Sequence, residues 1–342
     1  MDETPRPPRR KRYAGKNPKR FEEKYKELDP ERHAATVGKV LESGKTPAGM
    51  HVPVMVGECL AALRPGPGQL GIDATLGYGG HAREILARIA PGGRLVGLDV
   101  DPIEQPKTEA RLRALGHGDE AFVALRSNYA GIRKVLDGLG IEAVDFIFAD
   151  LGCSSMQFDD PARGFSFKTA GPLDMRMNPG RGIPAGEWLA KVKREKLAEV
   201  LLDCSDEPLA EQIAAALAGK RLAGTRELVA AIRAVPEVAR LDPERAELAV
   251  RRVFQALRIA VNEEFTALDA FLRMLPGCLK PGGRAVVLTF HSGEDRRVKR
   301  AFQQGGRDGI WAELSDGVTI AGPDERRSNP RSTPAKLRWA VK

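Results

Sequence analysis

The chain has 342 residues, 42% hydrophobic and 29% charged, which suits one large globular domain, or a domain with a sizeable insertion, and excludes a disordered protein. No apolar run approaches the roughly 18–20 residues of a membrane span, no signal-like apolar stretch follows the N-terminus, and four scattered cysteines and five histidines lack disulfide or metal-ligand spacing, as in a reducing cytoplasm. Of the net charge of +8, residues 1–20 hold eight Lys and Arg against two acids and residues 326–342 hold six against none, leaving −4 for residues 21–325; basic tails on an acidic body suit a polyanion or serve only solubility.

In chain order, residues 1–47 are rich in Pro, Lys, Arg and Glu, which predicts a disordered arm with one short helix around residues 21–28. From His51 the character changes. Apolar runs at 70–75, 94–99, 121–125, 145–150 and 284–290 predict buried strands, the first four separated by helix-length stretches such as 81–89 and 109–115. That alternation predicts a doubly wound parallel sheet covered on both faces. It stops between 158 and 241. There Leu209, Ile213, Ala216 and Leu217 share one helical face, and Thr225 and Asp242 read as helix N-caps, the latter ahead of Pro243. Residues 158–241 therefore predict a helical domain inserted in an α/β domain made of 48–157 and 242–342. A helical stretch over 243–275, broken near Asn262, leads through Lys280-Pro281-Gly282-Gly283 into the last predicted strand.

The densest local signal is Ile72-Asp73-Ala74-Thr75-Leu76-Gly77-Tyr78-Gly79-Gly80-His81, between a strand and a helix. Its glycines let the backbone turn tightly and approach a ligand. Asp99 ends the next strand, where an acid can accept from both ribose hydroxyls of an adenosine. A dinucleotide site calls for G-x-G-x-x-G with a pyrophosphate on the helix N-terminus. Here the glycines run G-x-G-G, and Asp73 precedes them. Asp73 repels a pyrophosphate but suits the ammonium and sulfonium of S-adenosylmethionine; the alternative is that it only caps the turn. Asp150 ends the fourth strand and adds a third acid to the edge where such sheets bind ligands.

These residues resemble the bacterial 16S ribosomal RNA cytosine-N4 methyltransferase family, known as RsmH or MraW. The resemblance runs from His51 to Arg338. It rests on His51-Val52-Pro53-Val54, Thr75 through His81, Asp150-Leu151-Gly152-Cys153-Ser154-Ser155, Arg163-Gly164-Phe165-Ser166-Phe167 and Gly171-Pro172-Leu173-Asp174-Met175-Arg176-Met177. Further on it includes Phe254 to Ile259, Val261-Asn262-Glu263-Glu264, Thr289-Phe290-His291-Ser292 and Asn329-Pro330-Arg331-Ser332. It implies a class I (Rossmann-like) S-adenosylmethionine-dependent methyltransferase with a helical insertion domain for substrate recognition. It also implies a cytoplasmic enzyme whose acceptor is a cytidine in the decoding region of 16S ribosomal RNA in the small ribosomal subunit. Carried over by motif, Gly79, Gly80 and His81 contact the donor, Asp99 takes the ribose, Tyr129 lies beside the adenine, and Asp150 and Gln157 complete the site. The chain departs from the family pattern at Ser205-Asp206-Glu207-Pro208, at Gly293, which replaces a usual Leu, and at Thr333-Pro334.

The exocyclic amine of cytosine is a poor nucleophile, because its lone pair is delocalised into the ring. Positioning therefore supplies most of the rate, helped by an acceptor for the amine proton. Asp150 and the backbone carbonyls after it, with Ser154 or Ser155, are candidates. His291 is another, with a structural role as its alternative. A nucleophile at Cys153 is not needed for amine chemistry. The base must be unpaired or flipped out. Phe165 and Phe167 either stack on bases or pack under the insertion, while Arg163, Arg176, Arg258 and Arg331 either touch phosphates or form salt bridges. Two rival readings remain: a nucleic-acid-binding module with a vestigial cofactor site, and a methyltransferase of DNA or protein.

Overall fold

The computed structural model describes residues 53–342. The basic arm, its predicted helix near 21–28, and His51 and Val52 lie outside the described residues. The apolar runs form strands where the sequence places them: β1 (Leu70–Asp73), β2 (Arg94–Asp99), β3 (Phe122–Arg126), β4 (Val144–Asp150) and β5 (Leu279–Thr289). They pair in parallel in the order β3-β2-β1-β4-β5. Lys280–Gly283 is a bulge inside β5, since Leu279 pairs with Val144 and Arg284 with Phe146. Three short strands go unforeseen. β6 (Glu313–Leu314) and β7 (Thr319–Ile320) both pair with β8 (Lys336–Val341), which runs antiparallel to β5.

Period-2 alternation sends side chains to opposite faces. Phe146 and Phe148 meet α1 (Val56–Leu63) and α2 (Gly80–Ile89) through Cys59, Leu63, Ile85 and Leu86. Ile147 and Ala149 join Leu136 of α4 (Ile132–Gly138) on the other face. Burying one such side chain completely contributes about 1.5–3 kcal/mol. Between these two helices, α3 (Glu104–Ala114) starts earlier than the predicted 109, because Pro106 falls in the first turn, where a missing N–H leaves no bond unmade.

After α5 (Ser155–Asp159) the inserted stretch is helical: α6 (Ala185–Lys191), α7 (Arg194–Ser205), α8 (Ala210–Leu217), α9 (Thr225–Arg233) and α10 (Pro236–Ala239). Leu189, Leu201, Ile213, Leu217, Leu228 and Ile232 form a separate apolar cluster that also takes Val250, Val253 and Leu257 of α11 (Pro243–Val261). Asp242 caps α11 by accepting from Arg245 N at 2.9 Å. Thr225 does not cap α9. Gly224 is the cap residue, and the Thr225 hydroxyl instead donates to Thr169 O at 2.7 Å and accepts from Gly171 N at 3.1 Å. The expected break falls at Asn262 and Glu263, the latter left-handed with φ 50°, before α12 (Glu264–Cys278). α13 (Ser292–Arg307) and α14 (Pro323–Ser328) complete the described helices.

The C-terminal basic stretch is not a tail. Lys336 and Arg338 lie in β8 and pair with Asp295 at 3.4 and 2.7 Å. Among the described residues no helix is long and apolar enough to cross a membrane.

Candidate active site

β1, β2 and β4 are neighbours, and each ends in an acid: Asp73, Asp99 and Asp150. The chain leaves β1 toward β2 on one side and returns as β4 on the other, so these carboxyls stand at the topological switch point, where open α/β sheets bind ligands. Asp73 is 1% exposed and accepts from Thr75 N; burial, aided by the charge of Asp99, pushes it up to about 7. Asp99 accepts from Gly77 N and from Asp101 N, both at 2.8 Å. Burial and the charge on Asp101 push it up to about 6 against those bonds. Asp150 is raised well above the carboxylate range by burial, then by Asp73 and Glu294, and its buried Oδ1 has no hydrogen-bond partner.

The glycine loop fixes this edge. Gly77 and Gly79 take positive φ, 49° and 83°, and Gly79 starts α2. Gly80 lies against Pro53, where a Cβ would come 2.3 Å from Cγ. His81 follows, 8% exposed, tilted against Phe148 with ring centroids 4.7 Å apart. Its Nε2 lies 3.0 Å from Val54 O. A carbonyl only accepts, so Nε2 carries the proton, and Nδ1 turns its lone pair toward Asp150 Oδ2 at 3.6 Å. Burial pushes His81 down to about 4, so the ring is neutral.

Gln157 is buried and reaches outward only through others. Its Oε1 accepts from Ser154 N at 2.9 Å, its backbone N–H donates to Ser154 Oγ, and its Nε2 donates to Asp101 Oδ2 at 2.7 Å. Ser154 thus caps α5, and Ser155 opens it. Tyr129 follows β3, set edge-on to Phe271, with its hydroxyl donating to Glu264 O at 3.4 Å. His291 caps α13: Nδ1 accepts from Glu294 N at 3.4 Å, and Nε2 lies 3.2 Å from Glu294 Oε1, off the line of a hydrogen bond. Both ring nitrogens face the same glutamate.

The arginines read as phosphate contacts have carboxylate partners within the fold. Arg163 pairs with Asp101 at 2.8 Å, Arg258 grips Glu264 at 2.8 and 2.9 Å, Arg176 holds Asp174, and Arg331 holds Asp159. Phe165 is buried in the insertion cluster, and Phe167 packs edge-on against Phe254. Sequence reasoning missed Asp101, whose only signal was its place two residues after Asp99.

The edge fits a cationic adenosine ligand. Asp150 Oδ1 lacks a partner, and a Cβ built on Gly152, at φ 94°, would find nothing nearer than Glu294 Oε1 at 4.0 Å. The Asp150 side chain as a whole is 28% exposed, so the carboxyl reaches the surface of the edge while its Oδ1 stays buried.

Comparison with known proteins converges on one family. The model of the MraW methylase family matches residues 48–342. "Ribosomal RNA small subunit methyltransferase H 1" of Lachnoclostridium phytofermentans is 47% identical over 343 residues, covering 98% of this chain and 93% of the relative. Its namesake in Agathobacter rectalis is 46% identical over 351 residues, covering 100% and 99%. "Ribosomal RNA small subunit methyltransferase H 2" of Alkaliphilus metalliredigens is 45% identical, covering 98% and 97%.

Proposed function

The chain belongs to the MraW methylase family, and on that premise we propose that it methylates the exocyclic N4 amine of a cytidine in the decoding region of 16S ribosomal RNA. More broadly it is a methyltransferase of small-subunit ribosomal RNA that uses S-adenosyl-L-methionine. A ribosomal substrate puts its work in the cytoplasm. One observation carries the reading: three carboxyls end neighbouring strands at the switch point, and Asp150 among them is partly exposed, with one buried oxygen left unpartnered.

When bound, S-adenosyl-L-methionine supplies a methyl group on a sulfonium for in-line displacement. Asp99 accepts the ribose hydroxyls with the lone pairs that Gly77 N and Asp101 N leave free. The turn at Gly77, Gly79 and Gly80 brings backbone close to the donor. Asp73 and Asp150 provide negative charge near the amino-acid end, and Tyr129 presents a ring face to the adenine. His81 packs beside Asp150, its Nδ1 3.6 Å from Oδ2. Gln157 acts at one remove, holding Asp101 in place.

At the acceptor, the Asp150 carboxylate would accept a hydrogen bond from the amine of the flipped cytosine, localising the nitrogen lone pair, and would take the amine proton released when the new N–C bond replaces the donor's S–C bond. Ser154, Ser155 and the carbonyls between them and Asp150 accept the second proton as a hydrogen bond. His291 caps α13 through Nδ1 and keeps Glu294 beside the site, and its Nε2, buried without a hydrogen-bond partner, is a second candidate acceptor.

Purified small subunits from cells lacking the gene, incubated with enzyme and donor, should gain one methyl on a single cytidine, located by mass mapping and assigned to N4 by nucleoside chromatography. A methyl on ring carbon C5, or none on RNA, would overturn the assignment.

A further inference from the structure

Asp101 is fully buried and joins two parts of the molecule. Its backbone N–H donates to Asp99 Oδ1 at 2.8 Å, while its Oδ1 accepts from Ile103 N and Glu104 N. Its Oδ2 takes Gln157 Nε2 and Arg163 Nη1 at 2.7 and 2.8 Å. The other arm of Arg163, Nη2, donates to the carbonyls of Arg176 and Met177 at 3.0 and 2.8 Å. Those two residues belong to the segment leading into α6. Met175 there is left-handed with φ 62°, a conformation that side chains rarely adopt unless the surroundings impose it. The surroundings do so from both sides. Met175 N donates to Arg163 O, and Asn262 donates to Met175 O and accepts from Met177 N, both at 2.7 Å.

A continuous hydrogen-bonded path therefore runs from the carboxylate assigned to the ribose, through Asp101 and Arg163, to a strained strip of the insertion and on to the break between α11 and α12. We propose that Arg163 is a positioning residue that transmits donor binding to this strip, so that the acceptor-facing insertion is ordered when the donor is in place. The proposal rests on the donor site assigned above. Arginine is required because one planar guanidinium must meet a carboxylate and two carbonyls at fixed angles, a fork that lysine lacks. A ribose engaging Asp99 stiffens the 99–101 turn, and Arg163 carries that stiffening to residues 175–177.

The test is amide hydrogen exchange with and without S-adenosylhomocysteine, a stable probe of the donor site. In the wild type, the probe should slow exchange across 171–182 as well as across 77–81 and 99–101, by about fivefold or more, the lower end of ordinary coupling between sites. Arg163→Lys keeps the charge beside Asp101 and should bind the probe within a few-fold of wild type. Its protection should stop at 99–101, and with small subunits its kcat should fall while the KM for donor holds. Asn262→Ala frees the strip from the opposite side without stranding a charge, and should show the same loss if the lysine variant does not fold. Undiminished protection of 171–182 in the variants, or none in the wild type, would overturn the proposal. Failure of the wild type to bind the probe is a different result and overturns the donor site itself.

Discussion

Asp99 is held at about 6 and Asp73 at about 7 in the ligand-free fold, so both carry protons well above the pH at which a solvated aspartate loses its own. Each binds its proton more tightly folded than unfolded. Their contribution to stability is therefore full below about pH 4 and is lost as pH rises through about 6 and 7. A cationic donor favours the ionised acids, so its binding releases protons. Affinity for S-adenosylmethionine should accordingly climb between about pH 5 and 8, and Asp73→Asn should flatten the upper part of that climb. Calorimetry across this range would sink the assignment if wild-type affinity did not change. Cys153 supplies a second residue-scale expectation. Burial pushes its thiol up, more than nearby Arg258 lowers it, and a protonated thiol is a poor nucleophile. Cys153→Ser should keep substantial turnover; a folded, donor-binding variant with no activity would require a covalent mechanism.

Among the elements, α13 meets α12 at a glycine. A Cβ on Gly293 would come 2.5 Å from Phe265 Cζ, so the ring occupies the room that a leucine would need. Gly293→Leu should destabilise the fold by about 1–3 kcal/mol in urea unfolding, and Phe265→Ala in the same chain should recover part of that loss. Equal costs in both backgrounds would mean the two positions are uncoupled. Elements differ in how far the sequence discloses them. β1, β2 and β4 were legible because a strand buried on both faces must be a continuous apolar run, and the acids at their ends were legible because they interrupt it. β8 was not, since Lys336 and Arg338 alternate with Leu337 and their charges are met by Asp295 from another element. Arg163 looked like a phosphate ligand for a similar reason. Its partner Asp101 lies 62 positions away, and residue type alone does not tell a solvated guanidinium from one that folding has paired. Thr225 and Asp242 carry the same capping signal, but only Asp242 is in a position to use it, because folding draws the Thr225 hydroxyl to Thr169 and Gly171.

For the molecule as a whole, Lys336 and Arg338 are paired within the fold, and residues 1–20, with their +6, are a concentrated source of positive charge in the sequence. Counterion release from RNA by that stretch should make binding to the small subunit steeply salt-dependent. Deleting residues 1–20 should weaken binding and flatten the plot of log affinity against log salt while leaving donor affinity unchanged; parallel lines would mean that the stretch never meets phosphate. The separate apolar cluster of the insertion has a consequence of another kind, for how the chain reaches its native state. β4 and β5 are hydrogen-bonded neighbours, yet one ends at Asp150 and the other begins at Leu279. Closing so long a loop from a random coil is slow, whereas the insertion's contacts are between segments near in sequence. If the insertion condenses first, it draws Asp150 and Leu279 together and shortens the search for the central strand pair. Trp188 packs against the insertion cluster and Trp339 against the sheet. In stopped-flow refolding of single-tryptophan variants, the Trp188 signal should recover before that of Trp339, so that an interruption of the sheet acts as the scaffold on which its two halves meet.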